Sequence, residues 1–380
     1  MTPDSASNST LPESGWMARA LELAERGLYT TDPNPRVGCV LVRDGQVVGE
    51  GWHARAGEPH AEVMALRAAA GRARGAVAYV TLEPCCHTGR TPPCADALIA
   101  AGITHVVCAA VDPNPKVGGG GINRLEAAGI AVTVGLLATE ARALNIGFFS
   151  RFERRRPFIR LKLAMSLDAR TAQSGGGSAW ITDEASRADV QVWRARSSAI
   201  LTGAGTVRVD DPRLDVRLDY GPWVRQPLRV VLDTDLTCPP TSKVFHDGHA
   251  LIFAANDAPE RSGAPERGGI PERSGMSLRT ERVPRAPRGL DIEAVLARLV
   301  LLEVNELLVE CGPRLAAAFL EANLVDELIL YVAPHFLGMD APPLAALAGL
   351  ENARRLSRFQ FHEQRMIDND LRLVLTPKGA

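Results

Sequence analysis

The amino-acid sequence predicts two α/β domains in one chain of 380 residues. Strand-like segments alternate with helical segments up to about residue 145, which is the pattern of a three-layer α/β domain. A charged segment that ends in proline, RFERRRP at 151–157, interrupts this pattern and suits a domain boundary. A second series of strands and helices follows. We therefore predict a disordered tail at 1–14, a first domain at 15–150 and a second domain at 157–380.

The composition indicates a globular protein of a reducing compartment. Hydrophobic residues make up 46% of the chain, and 43 basic residues nearly balance 44 acidic ones. A net charge of −1 gives no electrostatic footprint for a long nucleic acid, and no apolar stretch approaches the length of a membrane span. The first fifteen residues lack the basic and apolar regions of a signal peptide. Because the seven cysteines are scattered and odd in number, we expect a cytoplasmic protein without a disulfide framework.

Two motifs together predict a zinc site, EPHAEV at 58–63 and LEPCCHTGRTPPC at 82–94. His60 offers an imidazole nitrogen, and Cys85 and Cys94 offer two thiolates. This is the number and type of protein ligands that a catalytic zinc site uses. The fourth position would hold a water, and zinc lowers the pKa of such a water toward neutrality. The hydroxide formed in this way can attack an amino-bearing ring carbon.

Glu62 distinguishes this catalytic interpretation from a structural one. It follows His60 by two residues, as in the zinc deaminases, and is placed to move the protons of the bound water. The alternatives are a closed site with Cys86 as the fourth ligand, or two buried cysteines of a core helix. Adjacent side chains such as Cys85 and Cys86 diverge, and a purely structural site leaves Glu62 without a role. Helical runs after His60 and after Cys94 would point two helix N-termini at the site and favour thiolates.

Periodicity and turn signals predict the other elements of the first domain. Apolar residues at helical spacing and a closing glycine predict a first helix, with Met17, Ala20, Leu21, Ala24 and Gly27. Prolines on both sides fix the loop around Asn34, which is either an amide presented to a ligand or a plain turn residue. Asp44-Gly45 predicts a two-residue hairpin. His53 lies at the far end of that hairpin and would face the metal loop.

A glycine run at 118–121 follows a second DPNP loop, which spans Asp112 to Pro115. Glycines before a helix can cradle a phosphate through their backbone N–H groups. The run lacks the GxxxxGK[ST] spacing of a nucleotide-binding P-loop. A flexible loop is therefore the favoured interpretation.

Two strand-to-helix turns in the second domain resemble dinucleotide-binding turns. GAGTVR at 203–208 follows a strand, but Arg208 occupies the third glycine position of that fingerprint. Gly312-Pro313 also starts a helix and leaves N–H groups for a pyrophosphate. Lys162 lies between apolar neighbours on the first strand of this domain, where a lysine is usually only solvated.

Two further segments complete the second domain. Three tandem hexapeptides at 258–275 are rich in proline, glycine and charge, and we expect them to form a disordered surface insertion. The closing stretch predicts two alternating strands around a turn at 368–370.

Taken together, the motifs resemble those of the RibD family of bifunctional riboflavin biosynthesis enzymes, in which a pyrimidine deaminase is fused to a reductase. The resemblance runs from about Met17 to Pro377 and rests on PNPRVGCV, GEPHAEV, TLEPCCHTGRTPPC, DPNP, LKLAMSLDARTA, AWIT, DDPRL, VECGP and LVDELILYVAP. Eight residues separate the two metal cysteines, where other deaminases have two. Cys86 departs from the family, whose members usually carry serine there, and the hexapeptide insertion is a second departure.

The resemblance implies a cytidine-deaminase-like first domain and a dihydrofolate-reductase-like second domain. It implies a zinc hydrolase that replaces the 2-amino group of 2,5-diamino-6-(5-phosphoribosylamino)pyrimidin-4(3H)-one. It also implies an oxidoreductase that uses NADPH to reduce the ribosyl group, giving 5-amino-6-(5-phosphoribitylamino)uracil. Zinc and NADPH are the implied cofactors. We expect this phosphorylated pyrimidine as the partner, in a homo-oligomer that binds neither nucleic acid nor membrane.

The resemblance also implies site residues beyond Glu62 and the zinc ligands. Deaminase substrate contacts fall at Asn34, His53, Arg90, Asp112 and Asn114. Reductase substrate contacts fall at Lys162, Ser178, Arg194, Leu214, Arg217 and Glu310. Cofactor contacts fall at Ala164, Trp180, Thr206, Asp210, Gly312, Pro313, Arg314 and Leu315. Within these sets, Arg194 and Arg217 are suited to clamp a phosphate by paired hydrogen bonds.

Two other functions share part of the pattern. A deaminase that edits a base in nucleic acid has the same zinc motif, but the balanced charge opposes it. A zinc-stabilised scaffold without turnover would not need Glu62.

Overall fold

The computed structural model divides between Arg154 and Arg155 into two compact units. The residues that it describes are 12–87, 92–172, 180–218, 224–259, 278–347, 349, 356 and 358–379. All but Ala258 and Pro259 of the predicted hexapeptide insertion lie outside the described residues. No helix in these ranges combines the length and the apolar character needed to cross a bilayer.

The first unit is built on a five-stranded sheet with the strand order β2-β1-β3-β4-β5. Its strands are β1 Gly38–Arg43, β2 Gln46–Trp52, β3 Val77–Val80, β4 His105–Cys108 and β5 Ala131–Val134. β1 pairs antiparallel with β2 and β3, whereas β3, β4 and β5 run parallel. The predicted hairpin at Asp44-Gly45 joins β1 to β2, and both residues have positive φ angles, 53° and 71°.

Helices cover both faces of this sheet, which confirms the predicted three-layer architecture. The helices are α1 Glu13–Glu25, α2 Ala61–Ala69, α3 Cys94–Ala101, α4 Gly120–Ala127, α5 Ala138–Leu144 and α6 Ile146–Glu153. One face packs against α2 and α3 through small apolar side chains such as Ala65 and Leu98. The other face packs against α1 and α5 through Met17, Leu23 and Ala141. Because β3 and β4 are parallel neighbours, the loops that follow them lie side by side.

The second unit is built on a nine-stranded sheet with the order β10-β9-β8-β7-β13-β6-β14-β16-β15. Its strands are β6 Phe158–Ser166, β7 Ala199–Gly203, β8 Leu228–Leu232, β9 Ala250–Ala255, β10 Arg279–Val283, β13 Glu306–Glu310, β14 Glu327–Ala333, β15 Phe359–Ile367 and β16 Asp370–Pro377. A separate two-stranded sheet consists of β11 Arg285–Ala286 and β12 Gly289–Leu290. The predicted closing hairpin is β15–β16. β16 also pairs antiparallel with β14, and the other pairs of the large sheet are parallel.

Helices also lie on both faces of the large sheet. They are α7 Glu184–Arg196, α8 Ala204–Asp210, α9 Ile292–Leu301 and α10 Pro313–Glu321, with a short 3-10 turn at Lys243–Phe245. Leu299 and Phe319 place α9 and α10 in one core cluster, whereas Val190 and Val207 place α7 and α8 in another. The parallel strands β13, β7 and β8 are neighbours, so the segments that follow them share one edge of the sheet.

Candidate metal centre and candidate reductase cavity

The three predicted zinc ligands lie together at the ends of elements of the first unit. His60 directly precedes α2, Cys94 begins α3, and Cys85 lies in the loop that follows β3. Their donor atoms all lie within 4.8 Å of one another. His60 Nδ1 is 3.2 Å from Cys94 Sγ and 3.6 Å from Cys85 Sγ. The structure therefore brings one imidazole and two thiols to a single point.

This donor set fits a zinc ion. Zinc lies about 2.0 Å from nitrogen and about 2.3 Å from sulfur, so the nitrogen–sulfur edge of a tetrahedral site is about 3.5 Å. The observed separations of 3.2 and 3.6 Å are close to that edge. Hydrogen bonds from the Cys94 side chain and from His60 hold the pKa of the Cys85 thiol well below its usual range. A depressed pKa favours the thiolate, which is the form that binds a metal.

Glu62 lies beside this cluster but is not one of its donors. It lies in the first turn of α2 and is 3% exposed. Burial raises the pKa of its carboxyl to about 7. Such a group can both accept and release a proton near neutral pH.

Cys86 faces away from the metal ligands. Its sulfur lies 4.0 Å from the carbonyl oxygens of Lys116 and Val117. A Cβ atom on Gly120 would come within 2.7 Å of that sulfur. In the part of the chain that the structure describes, the metal cluster contains His60, Cys85 and Cys94 without Cys86. The closed site with four protein ligands is therefore wrong for this arrangement.

The glycine run binds a carboxylate of the protein itself, and the expectation of a flexible loop is wrong. The buried Glu83 carboxylate accepts four backbone N–H bonds, from Asp112 (3.2 Å), Gly119 (3.0 Å), Gly121 (2.9 Å) and Ile122 (3.2 Å). Only glycine fits at 121, since a Cβ there would lie 1.8 Å from the Pro84 carbonyl oxygen. The N–H groups that could cradle a phosphate are thus occupied, and Glu83 fixes the loop after β4 against the loop that carries Cys85.

Glu83 joins the two loops at this site and is a residue that the sequence analysis does not single out. It stands two residues before Cys85, inside a motif that was interpreted only for its cysteines. The available signal was an acid after a strand together with a glycine-rich helix start after the next strand. Parallel neighbouring strands bring two such segments together.

His53 and Asn34 form a hydrogen-bonded pair close to the metal ligands. The His53 ring is 5.2 Å from the His60 ring between centroids, and His53 is 3% exposed. His53 Nδ1 lies 3.2 Å from the Pro59 carbonyl oxygen, which can only accept, so Nδ1 carries the hydrogen. Its Nε2 then accepts from the Asn34 amide at 3.0 Å. Burial lowers the pKa of His53, which keeps this imidazole neutral.

Two other predicted deaminase contacts, Asp112 and Asn114, lie on the loop that Glu83 holds. Asp112 is buried, and burial raises the pKa of its carboxyl to about 7. Its Oδ1 accepts the backbone N–H of Asn114 at 2.8 Å, which closes a tight turn. Arg90 lies outside the described residues.

The second unit contains a large cavity at the carboxyl edge of its sheet. The cavity has a volume of about 1440 Å³. Pockets for one small ligand measure about 300–1,000 Å³, so two ligands can be accommodated side by side. Twelve predicted residues line it: Lys162, Ala164, Trp180, Arg194, Thr206, Asp210, Leu214, Glu310, Gly312, Pro313, Arg314 and Leu315. Arg217 does not line it, and Ser178 lies outside the described residues.

Three charged residues on the wall of the cavity form one cluster. Arg194 binds Glu310 through two parallel hydrogen bonds of 2.7 and 2.9 Å. Its guanidinium fork is therefore engaged by a carboxylate, which differs from the expectation that Arg194 clamps a phosphate. Lys162 is half-buried on the same wall, with its ammonium nitrogen 5.6 Å from the centre of the Tyr331 ring. Burial lowers the pKa of Lys162, so it is not simply a solvated surface lysine.

The helix starts beside this cluster fit a dinucleotide. Gly312 precedes α10 and makes no side-chain cap, and Pro313 is the first helical residue. The uncapped N–H groups of that first turn suit a pyrophosphate. A Cβ on Gly312 would lie 3.8 Å from Thr206 Oγ1, so the start of α10 lies beside α8. Trp180 is 75% exposed at the cavity, with the Arg187 guanidinium 4.8 Å from its ring centre.

Family models match both units of the chain. Residues 12–110 match the model described as the cytidine and deoxycytidylate deaminase zinc-binding region, and residues 157–373 match the RibD C-terminal domain. The riboflavin biosynthesis protein RibD of Escherichia coli is 48% identical over 370 residues, covering 95% of this chain and 98% of that protein. The Haemophilus influenzae protein of the same name is 44% identical over 375 residues, covering 96% and 97%.

Solved structures of similar proteins extend over nearly the full chain. RibD from Acinetobacter baumannii gives a TM-score of 0.86 at 42% identity and covers 96% of this chain and 98% of that one. A diaminohydroxyphosphoribosylaminopyrimidine deaminase/5-amino-6-(5-phosphoribosylamino)uracil reductase from Thermotoga maritima gives 0.81 at 32% identity, with the same coverage. Because these similarities cover both units, they support a dihydrofolate-reductase-like fold for the second unit.

Replacing Glu83 by glutamine should destabilise the first unit. The glutamine keeps the shape but removes the charge, and its NH₂ group would face backbone donors. We expect a loss of at least about 2 kcal/mol in the free energy of unfolding, since hydrogen bonds to a charged group are lost in a buried place. Urea unfolding of the zinc-loaded chain, followed by zinc release, measures this loss.

Asp96→Asn is the matched control for Glu83→Gln. Asp96 also bonds α4, through the exposed Arg124 side chain at 2.8 Å, and such surface pairs contribute about 0–1 kcal/mol. An equally small effect of both substitutions would mean that Glu83 does not hold the loop.

Proposed function

The chain belongs to the RibD family, and on that premise we propose a division of labour between its units. The protein is a bifunctional enzyme of riboflavin biosynthesis, with a deaminase domain and a reductase domain that use zinc and NADPH. Residues 15–150 carry out the deamination and residues 157–380 carry out the reduction, and the hexapeptides at 258–275 take no part in either reaction. The observation that carries this proposal is the cluster of His60, Cys85 and Cys94 beside the buried Glu62.

The first reaction converts 2,5-diamino-6-(5-phosphoribosylamino)pyrimidin-4(3H)-one to its deaminated product. Zinc, when bound, supplies an activated water as the nucleophile. Glu62 takes a proton from that water and passes it to the departing 2-amino group, which leaves as ammonia. Its closeness to the ligands, its burial and its raised pKa suit both steps.

The pair of Asn34 and His53 orients the pyrimidine. Because His53 Nε2 uses one amide hydrogen of Asn34, the side chain of Asn34 is held in one orientation. Its second amide hydrogen and its Oδ1 then point to fixed places and can bond the edge of the ring. Asp112 and Asn114 approach from the neighbouring loop, and Arg90 is assigned to the substrate by resemblance alone.

The second reaction reduces the ribosyl group. NADPH, when bound, would supply a hydride to C1′ of the ribosyl group. As C1′ is reduced, its bond to the ring oxygen breaks and that oxygen takes up a proton. Lys162 supplies this proton, since it lies on the cavity wall with a pKa lowered by burial. Glu310 is held in place by Arg194 and can bond the ribose hydroxyls.

The remaining contacts of the reductase are assigned from the resemblance to the family. Arg217 binds the phosphate, while Leu214 and Ser178 contact the rest of the substrate. The cofactor lies along Ala164, Trp180, Thr206, Asp210 and the turn Gly312, Pro313, Arg314 and Leu315. The uncapped start of α10 supports the last part of this assignment.

The product is 5-amino-6-(5-phosphoribitylamino)uracil, and the enzyme acts on small molecules in the cytoplasm without nucleic acid or membrane. The balanced charge of the chain and its seven free cysteines support this setting. We expect a homo-oligomer. Its support is the edge strand β15, which exposes Phe361 and Met366, because such edges are usually covered in the working protein.

Glu62→Gln should retain zinc and lose deamination by about 100-fold or more, because the proton transfer is lost while the metal ligands stay. Ammonia release and the zinc content of the purified protein measure the two properties. Glu58→Gln is the control, since Glu58 lies in the same motif but pairs with Arg55 at the surface. If Glu62→Gln deaminates normally, the assigned role is wrong.

Arg217→Ala should raise the KM of the reduction about tenfold or more, because a charge-assisted bond to phosphate is lost. Deamination should be unchanged, and a substrate without the phosphate should lose little further. Arg213→Ala is matched to it, because both arginines pair with Asp215 and both are exposed. A similar rise for the two variants, or for both substrates, would contradict phosphate binding by Arg217.

A further inference from the structure

The reductase cavity extends along the ends of four neighbouring strands, β6, β13, β7 and β8, so it has a chemical end and a far end. Glu310 and Lys162 mark the chemical end on β13 and β6. Gly312 follows β13, Gly203 ends β7, and Asp233 follows β8, which is the next strand along. A dinucleotide with its nicotinamide near Lys162 and its pyrophosphate near Gly312 therefore places its adenosine near the end of β8. This placement rests on the proposed reductase function.

Asp233, the acid at the end of β8, is not available to bond a ribose hydroxyl. In dinucleotide-binding folds an acid at such a place bonds the 2′-hydroxyl of NAD, whereas an arginine accommodates the 2′-phosphate of NADP. Asp233 is 1% exposed. Its Oδ1 accepts from the backbone N–H and the hydroxyl of Thr237 at 2.8 and 2.9 Å, and its Oδ2 accepts from the Cys238 N–H at 2.8 Å. Both oxygens are thus engaged by the protein.

A cation lies next to this buried acid and faces the cavity. Arg208 of α8 is exposed, lines the cavity, and donates from Nη1 to the hydroxyl of Thr237. Among the described residues it makes no ion pair with a carboxylate. The Thr237 hydroxyl donates a hydrogen bond to Asp233. Asp233 therefore orients the Arg208 side chain through Thr237 and does not pair directly with its charge.

Nearby charges at the rim are paired with one another. Arg288 binds Glu321 at 2.6 Å, and Asp235 binds Arg285 at 2.8 Å. Thr234 adds a hydroxyl at the end of β8, 3.4 Å from where a Cβ on Gly289 would lie. The far end of the cavity therefore combines an arginine without a carboxylate partner, two threonine hydroxyls and an acid that is already satisfied.

We propose that Arg208, oriented by Thr237, binds the 2′-phosphate of NADPH and sets the preference of the reductase for NADPH over NADH. The residue that disqualifies GAGTVR as a NAD fingerprint is then the one that selects the phosphorylated cofactor. A guanidinium can give two parallel hydrogen bonds to a phosphate, whereas a 2′-hydroxyl offers no charge to meet it.

The test uses the adenosine half of the cofactor, which leaves the chemical end of the cavity out of the measurement. Calorimetric titration of the full chain with 2′,5′-ADP and with 5′-AMP compares ligands that differ by the 2′-phosphate. Arg208→Met should lose about tenfold to a hundredfold in affinity for 2′,5′-ADP and keep its affinity for 5′-AMP. Arg208→Lys should keep part of the preference, and Arg288→Met, at the same rim, should keep all of it.

Two results would overturn the proposal. One is an unchanged preference for 2′,5′-ADP in Arg208→Met, and the other is an equal loss for both ligands, which indicates a structural role. Reduction of the deaminated intermediate by the unaltered chain with NADPH is measured alongside. If the unaltered chain reduces the intermediate and either of these results is found, only the role of Arg208 is refuted. If the unaltered chain neither binds 2′,5′-ADP nor reduces the intermediate, the reductase assignment itself is refuted.

Discussion

The first unit depends on one buried carboxylate in a ring of backbone N–H groups. Glu83 follows β3, and the groups that it binds belong to the loop after β4 and to the start of α4. The same loop after β3 delivers Cys85, and the same loop after β4 delivers Asp112. Burying a carboxylate is costly unless its hydrogen bonds are all made, so the two loops can adopt their native path only together. Cys85 of the metal cluster and the loop that carries Asp112 therefore keep a fixed relation.

In the second unit too, some charged side chains have their hydrogen bonds made within the protein, whereas others are available to a ligand. The Arg194 guanidinium donates two hydrogen bonds to Glu310, and the Asp233 carboxylate accepts hydrogen bonds from Thr237 and Cys238. Lys162 on β6 and Arg208 at the far end are among the charged residues that line the cavity. Buried charges that are paired stabilise geometry, whereas cations left for a ligand give it specificity.

The zinc ligands could be predicted from the sequence because residue type and spacing encode them almost completely. The layers of the first unit and its hairpin also followed from local patterns, since apolar spacing and Asp44-Gly45 act over a few residues. The bond from Glu83 to Gly121 spans 38 residues and depends on which strands are neighbours, so no local pattern contains it. The same reason explains why the pairing of Arg194 with Glu310, 116 residues apart, could not be foreseen.

The proposed division of labour gives one chain two chemically independent sites, one that needs a metal and one that does not. Its most direct test is to treat the intact enzyme with a zinc chelator and to follow ammonia release and NADPH oxidation separately, supplying the deaminated intermediate for the second. With two independent sites, ammonia release should stop while reduction continues at its former rate. If the chelator stops both reactions while circular dichroism shows that the protein remains folded, the two-site account is contradicted.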